Sequence, residues 1–260
     1  MFTDQLVGNN VTSGPFYTDM KFWALVVSLL ALLLSQLPPV RLWRRVRLTV
    51  EAFSHLFITH KFGNPNAQLH LIVINSGGRQ VRVTGISLRV STNTTEEFMI
   101  PAASYLQKQG DKEAILFTPF TLKPEDEWAH IINFYPMLSR ADDKLVRNFV
   151  SIIRADIGEK VKQRGEDKQP VIADDASVAP FMDLLKRQFK WNPNEYEMDV
   201  ILTTVPPNSV PEQRFRFVLY ESDTEDLRRV ADGYKYGAGV FFDADERNNG
   251  TTTVPLQKIK

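Results

Sequence analysis

Two strand patterns joined by a turn occupy residues 68–90, which read QLHLIVINSGGRQVRVTGISLRV. In the first pattern Leu69, Leu71 and Val73 recur at every second position, as expected when one face of a strand is buried. The turn at 75–78, Asn-Ser-Gly-Gly, can adopt the positive φ angles that tight turns require. In the second pattern the alternation shifts at Gly85, which predicts a β-bulge. The stretch therefore predicts neighbouring strands of an antiparallel sheet.

Further short strand patterns lie on both sides of this stretch. They cover residues 48–52, 97–100, 114–117, 128–134, 198–202 and 215–220. Their number and spacing predict a mainly β fold, an antiparallel β-sandwich over residues 48–242 that resembles immunoglobulin-like sandwiches in architecture. The Cys…Trp…Cys spacing of true immunoglobulin domains is missing. The alternative is a sandwich ending at Tyr135 followed by a small α+β domain.

A two-helix insertion is predicted at residues 137–191. Ser139 and Asp142 match a capping box, in which a hydroxyl caps the helix and an acid follows three residues later. One apolar face then recurs at three and four residues, formed by Val146, Phe149, Val150, Ile153, Ile157 and Val161. A second helix is expected to start near Pro180, and a short last helix over 222–231 precedes a loose polar tail at 243–260.

An uncharged apolar run, FWALVVSLLALLLSQLPPV, extends from Phe22 to Val40. As a helix it would be roughly 28 Å long, close to the thickness of the hydrocarbon core of a bilayer. We therefore predict a single transmembrane helix at 22–40. A cleaved signal peptide would have a basic leading segment and small residues at the cleavage site, and a buried core helix would have a polar face.

The residues flanking this run predict its orientation. One lysine precedes it in the tail 1–21, whereas four arginines follow in the basic segment 41–47. Because positive charge stays in the cytoplasm, we expect a short extracytoplasmic tail and a cytoplasmic C-terminal domain at the cell membrane. Asn-x-Ser/Thr sequons at Asn10, Asn93 and Asn249 would favour the reverse topology if glycosylated. The residues expected at the lipid interface are Trp23, Arg41, Trp43, Arg44, Arg45 and Arg47.

The small residues of the apolar run form a stripe. Ala24, Ser28, Ala31 and Ser35 are spaced four, three and four, which places them on one helix face. Faces of small residues allow two membrane helices to approach closely, and serine hydroxyls can bond across the gap. This pattern predicts self-association of the helix and hence a homo-oligomer.

Composition and motifs exclude several chemistries. The chain has no cysteine, so disulfides, thiolate metal sites and a cysteine nucleophile are excluded. Its 31 basic and 31 acidic side chains give a formal charge of zero, which argues against nucleic-acid binding driven by charge. Phosphate-binding and nucleophile-elbow motifs are absent. A calcium-like loop at 243–250 has Arg247 where an acid is needed. We therefore expect no cofactor and no metal.

The most direct functional hypothesis is a membrane-anchored interaction or scaffold protein that presents a cytoplasmic sandwich to partner proteins and contacts membrane lipids. A membrane-tethered hydrolase using carboxylates near the insertion is the first alternative, and an outward-facing receptor or adhesion module is the second. The segment 233–242 contains three glycines and four aromatic residues. It is either a loop packed on the sandwich or an exposed docking loop, since aromatic residues are enriched at interfaces.

Overall fold

The computed structural model describes residues 20–36, 46–93, 97–108, 110–111, 113–164, 169–207, 213–242 and 250–259. The chain divides into two units, Met1–Arg45 and Val46–Lys260. In the first unit the described residues form helix α1, Met20–Gln36, which has 17 residues. No helix among the described residues combines the length and the apolar character that crossing a membrane requires. Residues 37–40, the end of the predicted span, lie outside the described residues.

The second unit is mainly β, and its described residues contain twelve strands. These are β1 Leu48–Ala52, β2 His55–Lys61, β3 Asn64–Asn75, β4 Val81–Thr92, β5 Glu97–Leu106, β6 Ile115–Leu116, β7 Phe120–Leu122, β8 Glu127–Phe134, β9 Asn194–Val205, β10 Gln213–Leu219, β11 Thr252–Pro255 and β12 Gln257–Lys258. Three α-helices and one 3-10 helix accompany them: α2 Arg140–Arg164, α3 Asp175–Gln188, α4 Glu221–Arg229 and the 3-10 helix Val230–Tyr236. The predicted β-rich, antiparallel character is confirmed.

The strands pair in the order β11-β2-β3-β8-β5-β4-β9-β10-β12, and all of these pairs are antiparallel. Strand β5 belongs to two halves of the sheet, because residues 97–101 pair with β4 and residues 102–106 pair with β8. We call the strands from β11 to β8 in this order the first half and those from β4 to β12 the second half. Leu69, Leu71 and Val73 of β3 are fully buried, as their alternation predicted. The register of β4 against β9 shifts between Val83 and Gly85, which confirms the predicted bulge.

The C-terminal segment joins the two ends of this strand order. Strand β11 pairs with β2 in one half of the sheet, and β12 pairs with β10 in the other. Only Leu256 separates the two strands, and its N–H donates to the Ser54 carbonyl at 2.7 Å. The expectation of a loose tail from residue 243 is therefore wrong for residues 252–258, since these residues complete the sheet.

Strand register defines two ends of the β-domain. Leu48, where the chain enters, pairs with Asn75, and the same end holds the Val81–Leu122 pair of β4 and β7. We call this the entry end. At the other end the β2–β3 turn lies beside α3, and β9 begins and β10 ends next to α3 and α4. We call this the helical end.

The insertion lies between β8 and β9, at the predicted position. The Ser139 hydroxyl accepts the Asp142 N–H at 3.1 Å, so the predicted N-cap is confirmed. Helix α2 packs chiefly against α3, with the Phe149 and Phe181 rings 5.6 Å apart. The apolar face of α2 thus docks on α3. Helix α3 begins at Asp175, so Pro180 lies inside it and does not mark its start.

Trp191 connects the helical end to both halves of the sheet. Its side chain is fully buried and packs against Phe98, Tyr196 and Phe217 of the second half. Its indole N–H donates to the Thr59 carbonyl of β2 at 2.9 Å. The buried apolar residues described in Val46–Lys260 therefore form one cluster.

Gly63 is the point of closest approach between the β2–β3 turn and α3. Its φ is +89°, and a Cβ atom at this position would lie 2.7 Å from the Leu185 carbonyl oxygen. We predict that Gly63→Ala lowers the free energy of unfolding by about 3 kcal/mol, because it adds backbone strain to a backbone clash. Gly158→Ala is the matched control, since nothing lies within 4 Å of that position and alanine favours the helix. Urea unfolding of both variants tests this, and equal effects would contradict it.

Ile153 tests the docking of α2. The side chain is fully buried, so Ile153→Asp places an uncompensated carboxylate in the apolar interior and should lower the free energy of unfolding by about 4 kcal/mol. The neighbouring Ile152 is 43% exposed, and Ile152→Asp should cost under about 1 kcal/mol, mostly in helix propensity. Thermal unfolding measures both variants. An unchanged transition for Ile153→Asp would show that this face of α2 is not docked in solution.

Candidate binding surface

Helix α1 exposes large apolar side chains around its circumference. The members that are more than half exposed are Met20, Trp23, Leu25, Val27, Leu29, Leu30, Leu32, Leu33 and Leu34. Trp23, predicted to lie at the lipid interface, packs edge-to-face with Phe22 at 5.9 Å. Arg47 is exposed, and its carbonyl accepts the Ser76 hydroxyl at 3.2 Å. The other predicted interface residues, Arg41, Trp43, Arg44 and Arg45, lie outside the described residues.

The stripe of Ala24, Ser28, Ala31 and Ser35 is exposed along α1. The Ser28 hydroxyl donates to the Ala24 carbonyl at 2.8 Å, and the Ser35 hydroxyl donates to the Leu32 carbonyl at 2.7 Å. Both hydroxyl protons are therefore satisfied within the helix. A bond across a helix pair would have to replace an existing bond, so self-association would rely on close packing. Self-association through this stripe stays a prediction.

Two adjoining depressions at the helical end share Lys61 and Asn66. One has a volume of about 540 Å³, and its walls come from β2 and the segment 230–242. The other has a volume of about 770 Å³ and lies between β2–β3 and the segment 135–146. We call the two together the Lys61 groove. Each volume falls in the range typical of ligand pockets.

The larger depression of the Lys61 groove exposes mainly apolar surface, whereas the smaller one exposes polar and apolar surface in similar amounts. Met137 is 90% exposed and Tyr135 is 36% exposed in the larger depression, whereas Phe242 is 50% exposed in the smaller one. The segment 233–242 was expected to be either a loop packed on the sandwich or an exposed docking loop, and different residues of it fit each alternative. Tyr234 is buried, and its ring centroid lies 5.5 Å from that of Phe62 and 5.9 Å from that of Phe181. Phe242, by contrast, remains accessible to solvent.

The charge of the Lys61 groove is positive. Lys61 lies 6.0 Å from the Phe62 ring centroid, and no carboxylate among the described residues forms an ion pair with Lys61 or Arg140. Asp143, the acid of the larger depression, is bound by Arg147 at 2.8 Å. The two cations therefore remain uncompensated. Sequence reasoning missed this site because its residues come from distant segments of the chain. The one local signal was Tyr-Pro-Met at 135–137, where the strand pattern of β8 stops and large apolar side chains continue.

His60 and Tyr234 are the buried ionisable groups beside the smaller depression. The His60 Nδ1 atom accepts the Gly63 N–H at 3.1 Å, so its Nε2–H donates to the Leu227 carbonyl at 2.8 Å. Burial lowers the His60 pKa below its ordinary value, against a smaller opposite effect of the Leu227 bond. Burial raises the pKa of the Tyr234 hydroxyl well above its usual range. Both groups are neutral at pH 7, so neither cancels the charge of Lys61.

Like Asp143, three further acids near the insertion form ion pairs with basic side chains. Asp142 accepts Arg187 at 2.7 Å, and Lys160 binds Asp156 at 3.0 Å and Asp174 at 2.5 Å. The Asp174 N–H and the Lys160 ammonium lower the Asp156 pKa, the N–H being the larger influence. A carboxylate held in its ionised form by such partners is a poor proton donor. The arrangement gives the hydrolase alternative no pair of free catalytic acids in these positions.

Three of the four histidines line a depression of about 340 Å³ on the outer face of the first half of the sheet. His55 is exposed whereas His60 is buried, so the two histidines occupy opposite faces of strand β2. His55 bonds Ser54 at 2.9 Å and His130 bonds the Leu106 carbonyl at 3.2 Å. Within the described ranges, no three potential ligands lie close enough to hold a metal ion.

A further open depression of about 660 Å³ lies between α3 and α4. Arg228 stacks 4.7 Å over the Phe189 ring and donates to the Asn192 side chain at 2.9 Å. Glu225, Asp232 and Lys186 all line it, so both signs of charge face this depression. In the Lys61 groove, by contrast, the acid Asp143 is paired with Arg147 while Lys61 and Arg140 form no ion pair with a described carboxylate.

The His60 environment generates a pH dependence of stability. Its folded pKa lies below the unfolded value of 6.5, so its full contribution is present above pH 6.5 and is lost as pH falls below that value. We predict that His60→Gln reduces stability at pH 7.5 but flattens the decline between pH 7.5 and pH 5. Urea unfolding at several pH values measures the difference between wild type and variant. If that difference is constant over the range, proton uptake by His60 does not control it.

Comparison with protein-family models, with curated proteins and with solved structures finds no match for this chain. No family assignment therefore follows.

Proposed function

We propose that this chain is a membrane-anchored interaction protein whose β-domain, an immunoglobulin-like sandwich, binds partner proteins. The observation that carries the proposal is the exposure of leucine and valine on all sides of α1, whereas the β-domain buries its own apolar residues in one core. A helix that is apolar all round requires an apolar environment on every side. Lipid provides such an environment without a specific partner surface.

The proposed anchor is the segment 22–40, which includes most of α1. Leu29 and Leu33, 59% and 57% exposed, lie near its centre, where burial in hydrocarbon contributes most. Trp23 on one side and Trp43 with the arginines on the other would lie at the headgroups. The arginine excess after the segment favours an outside N-terminus and a cytoplasmic β-domain at the cell membrane. Association of two such helices through the small-residue stripe belongs to the same proposal.

Binding is favoured over catalysis by the state of the polar groups. The carboxylates named above around the insertion are engaged by arginine or lysine, and His60 is held as a neutral structural group. By contrast, the helical end carries exposed apolar side chains together with uncompensated cations. Exposed apolar surface with a polar rim is typical of protein–protein interfaces. We therefore propose the helical end as the surface that binds partners.

Membrane insertion is tested with Leu29→Arg combined with Leu33→Arg in the full chain. Each arginine at the centre of a membrane helix costs about 3 kcal/mol, so the variant should move from the membrane fraction to the supernatant after alkaline extraction. Thr203→Arg combined with Thr253→Arg adds the same charge at exposed strand positions and should leave the chain in the membrane fraction. A wild-type chain that is extracted as readily as the variant would refute the anchor.

The orientation is tested separately by reporters fused after Lys260. A reporter active only in the cytoplasm should give signal, and one active only outside should not, because positive flanks remain inside. The opposite result, or glycan on the exposed Asn93, would reverse the topology and favour the receptor hypothesis.

A further inference from the structure

We infer that the Lys61 groove binds an acidic peptide segment that carries large apolar side chains. The inference rests on the proposed role as an interaction protein and specifies the chemistry of its partner. The groove combines exposed apolar side chains, a positive charge and an unsatisfied hydrogen-bond acceptor on Asn66, which lines both depressions.

The apolar walls provide the binding energy. Met137, at 90% exposure, can bury nearly its whole side chain against a ligand, and methionine adapts its shape to varied apolar partners. Tyr135 and Phe242, at 36% and 50% exposure, offer ring faces in the two separate depressions. Two apolar side chains spaced along an extended ligand could therefore occupy the two depressions together.

The charges select the sign of the ligand. Lys61 lies where the depressions meet and Arg140 borders the larger one. Asp143 is neutralised by Arg147, and no acid lines the smaller depression among the described residues. An aspartate or glutamate between the apolar side chains of a ligand would meet Lys61, whereas a basic segment would be repelled.

Asn66 favours a peptide over a simple amphiphile such as a fatty acid. Its side-chain oxygen Oδ1 is buried and accepts no hydrogen bond. An unsatisfied buried acceptor has a free-energy cost, and a ligand that supplies a donor removes it. A peptide backbone carries an N–H group at nearly every residue, while an ionised fatty acid has none. Asn66 lines both depressions, so a peptide bound in the groove lies beside this acceptor.

The test is selection from a displayed library of random 12-residue peptides. The bait is the full chain in nanodiscs of zwitterionic lipid, with empty nanodiscs for subtraction. We expect enrichment of peptides that combine aspartate or glutamate with leucine, phenylalanine, tryptophan or methionine. The affinity of selected peptides should fall about tenfold with Lys61→Glu combined with Arg140→Glu, and it should also fall at higher salt. Met137→Asp, at a position exposed to solvent, should weaken binding without affecting the fold.

Lys123→Glu is the matched control, because this exposed lysine lies beside Leu122 at the entry end. Binding should be unchanged in this variant, and thermal unfolding verifies that all variants are folded. Enrichment of basic peptides, absence of enrichment, or binding that survives both groove variants would overturn the inference. So would a chain that binds only vesicles of anionic lipid, since the groove would then recognise headgroups.

The outcomes separate the groove from the anchor. If the selected peptides bind as expected but the chain is extracted from membranes like its arginine variant, the anchor fails and the groove stands. If the chain stays in the membrane and no peptide is enriched, the anchor stands and the groove fails.

Discussion

Two chain segments, β5 and residues 252–258, each pair with strands of both halves of the sheet, and the rest of the β-domain depends on this pairing. At one side β5 pairs with β4 through residues 97–101 and with β8 through residues 102–106. At the other side the short segment 252–258 pairs with β2 and then with β10. A strand edge left open presents unpaired N–H and C=O groups that invite aggregation. Here the strands at both ends of the pairing order belong to one continuous segment, so the halves hold each other in register.

This closure directs the helices to one end of the β-domain. With the strand edges occupied, the chain leaves the sheet between β8 and β9 and between β10 and β11, and its helices cover the end of the core. Trp191 fixes their position through its bond to Thr59 on one side and its contact with Phe217 on the other. The Thr224 hydroxyl of α4 donates to the Trp191 carbonyl at 3.0 Å, which attaches a second helix to the same residue. The shape of the Lys61 groove therefore follows from the same packing that completes the core.

Sequence reasoning recovered the features that depend on local periodicity. The alternation of Leu69, Leu71 and Val73, the bulge at Gly85 and the cap at Ser139 each depend on residues within a few positions. It failed for β11 and β12, which have only four and two residues. These residues form strands because they pair with β2 and β10, about 200 and 40 positions away in the chain. The basic and apolar residues of the groove come from distant segments and lie close together only in the folded chain, so no local sequence pattern predicts the groove. The start of α3 was misplaced because proline, favoured in the first turn, here lies in the second.

The paired charges on the outer face of the second half contrast with the two cations of the Lys61 groove. On the outer face of the second half, Asp199 lies between Arg89 at 2.7 Å and Arg214 at 3.0 Å on neighbouring strands. Burial alone would raise the Asp199 pKa, but the two arginines outweigh it and hold the pKa below its usual value. Arg216 and Glu195 pair beside them at 2.9 Å. Charges compensated in this way offer little to a charged ligand, because binding must first replace a partner. Within the described part of the chain, Lys61 and Arg140 have no such partner to displace. They border Met137, the most exposed apolar side chain described in the β-domain, so a ligand there gains electrostatic and apolar contacts at the same time.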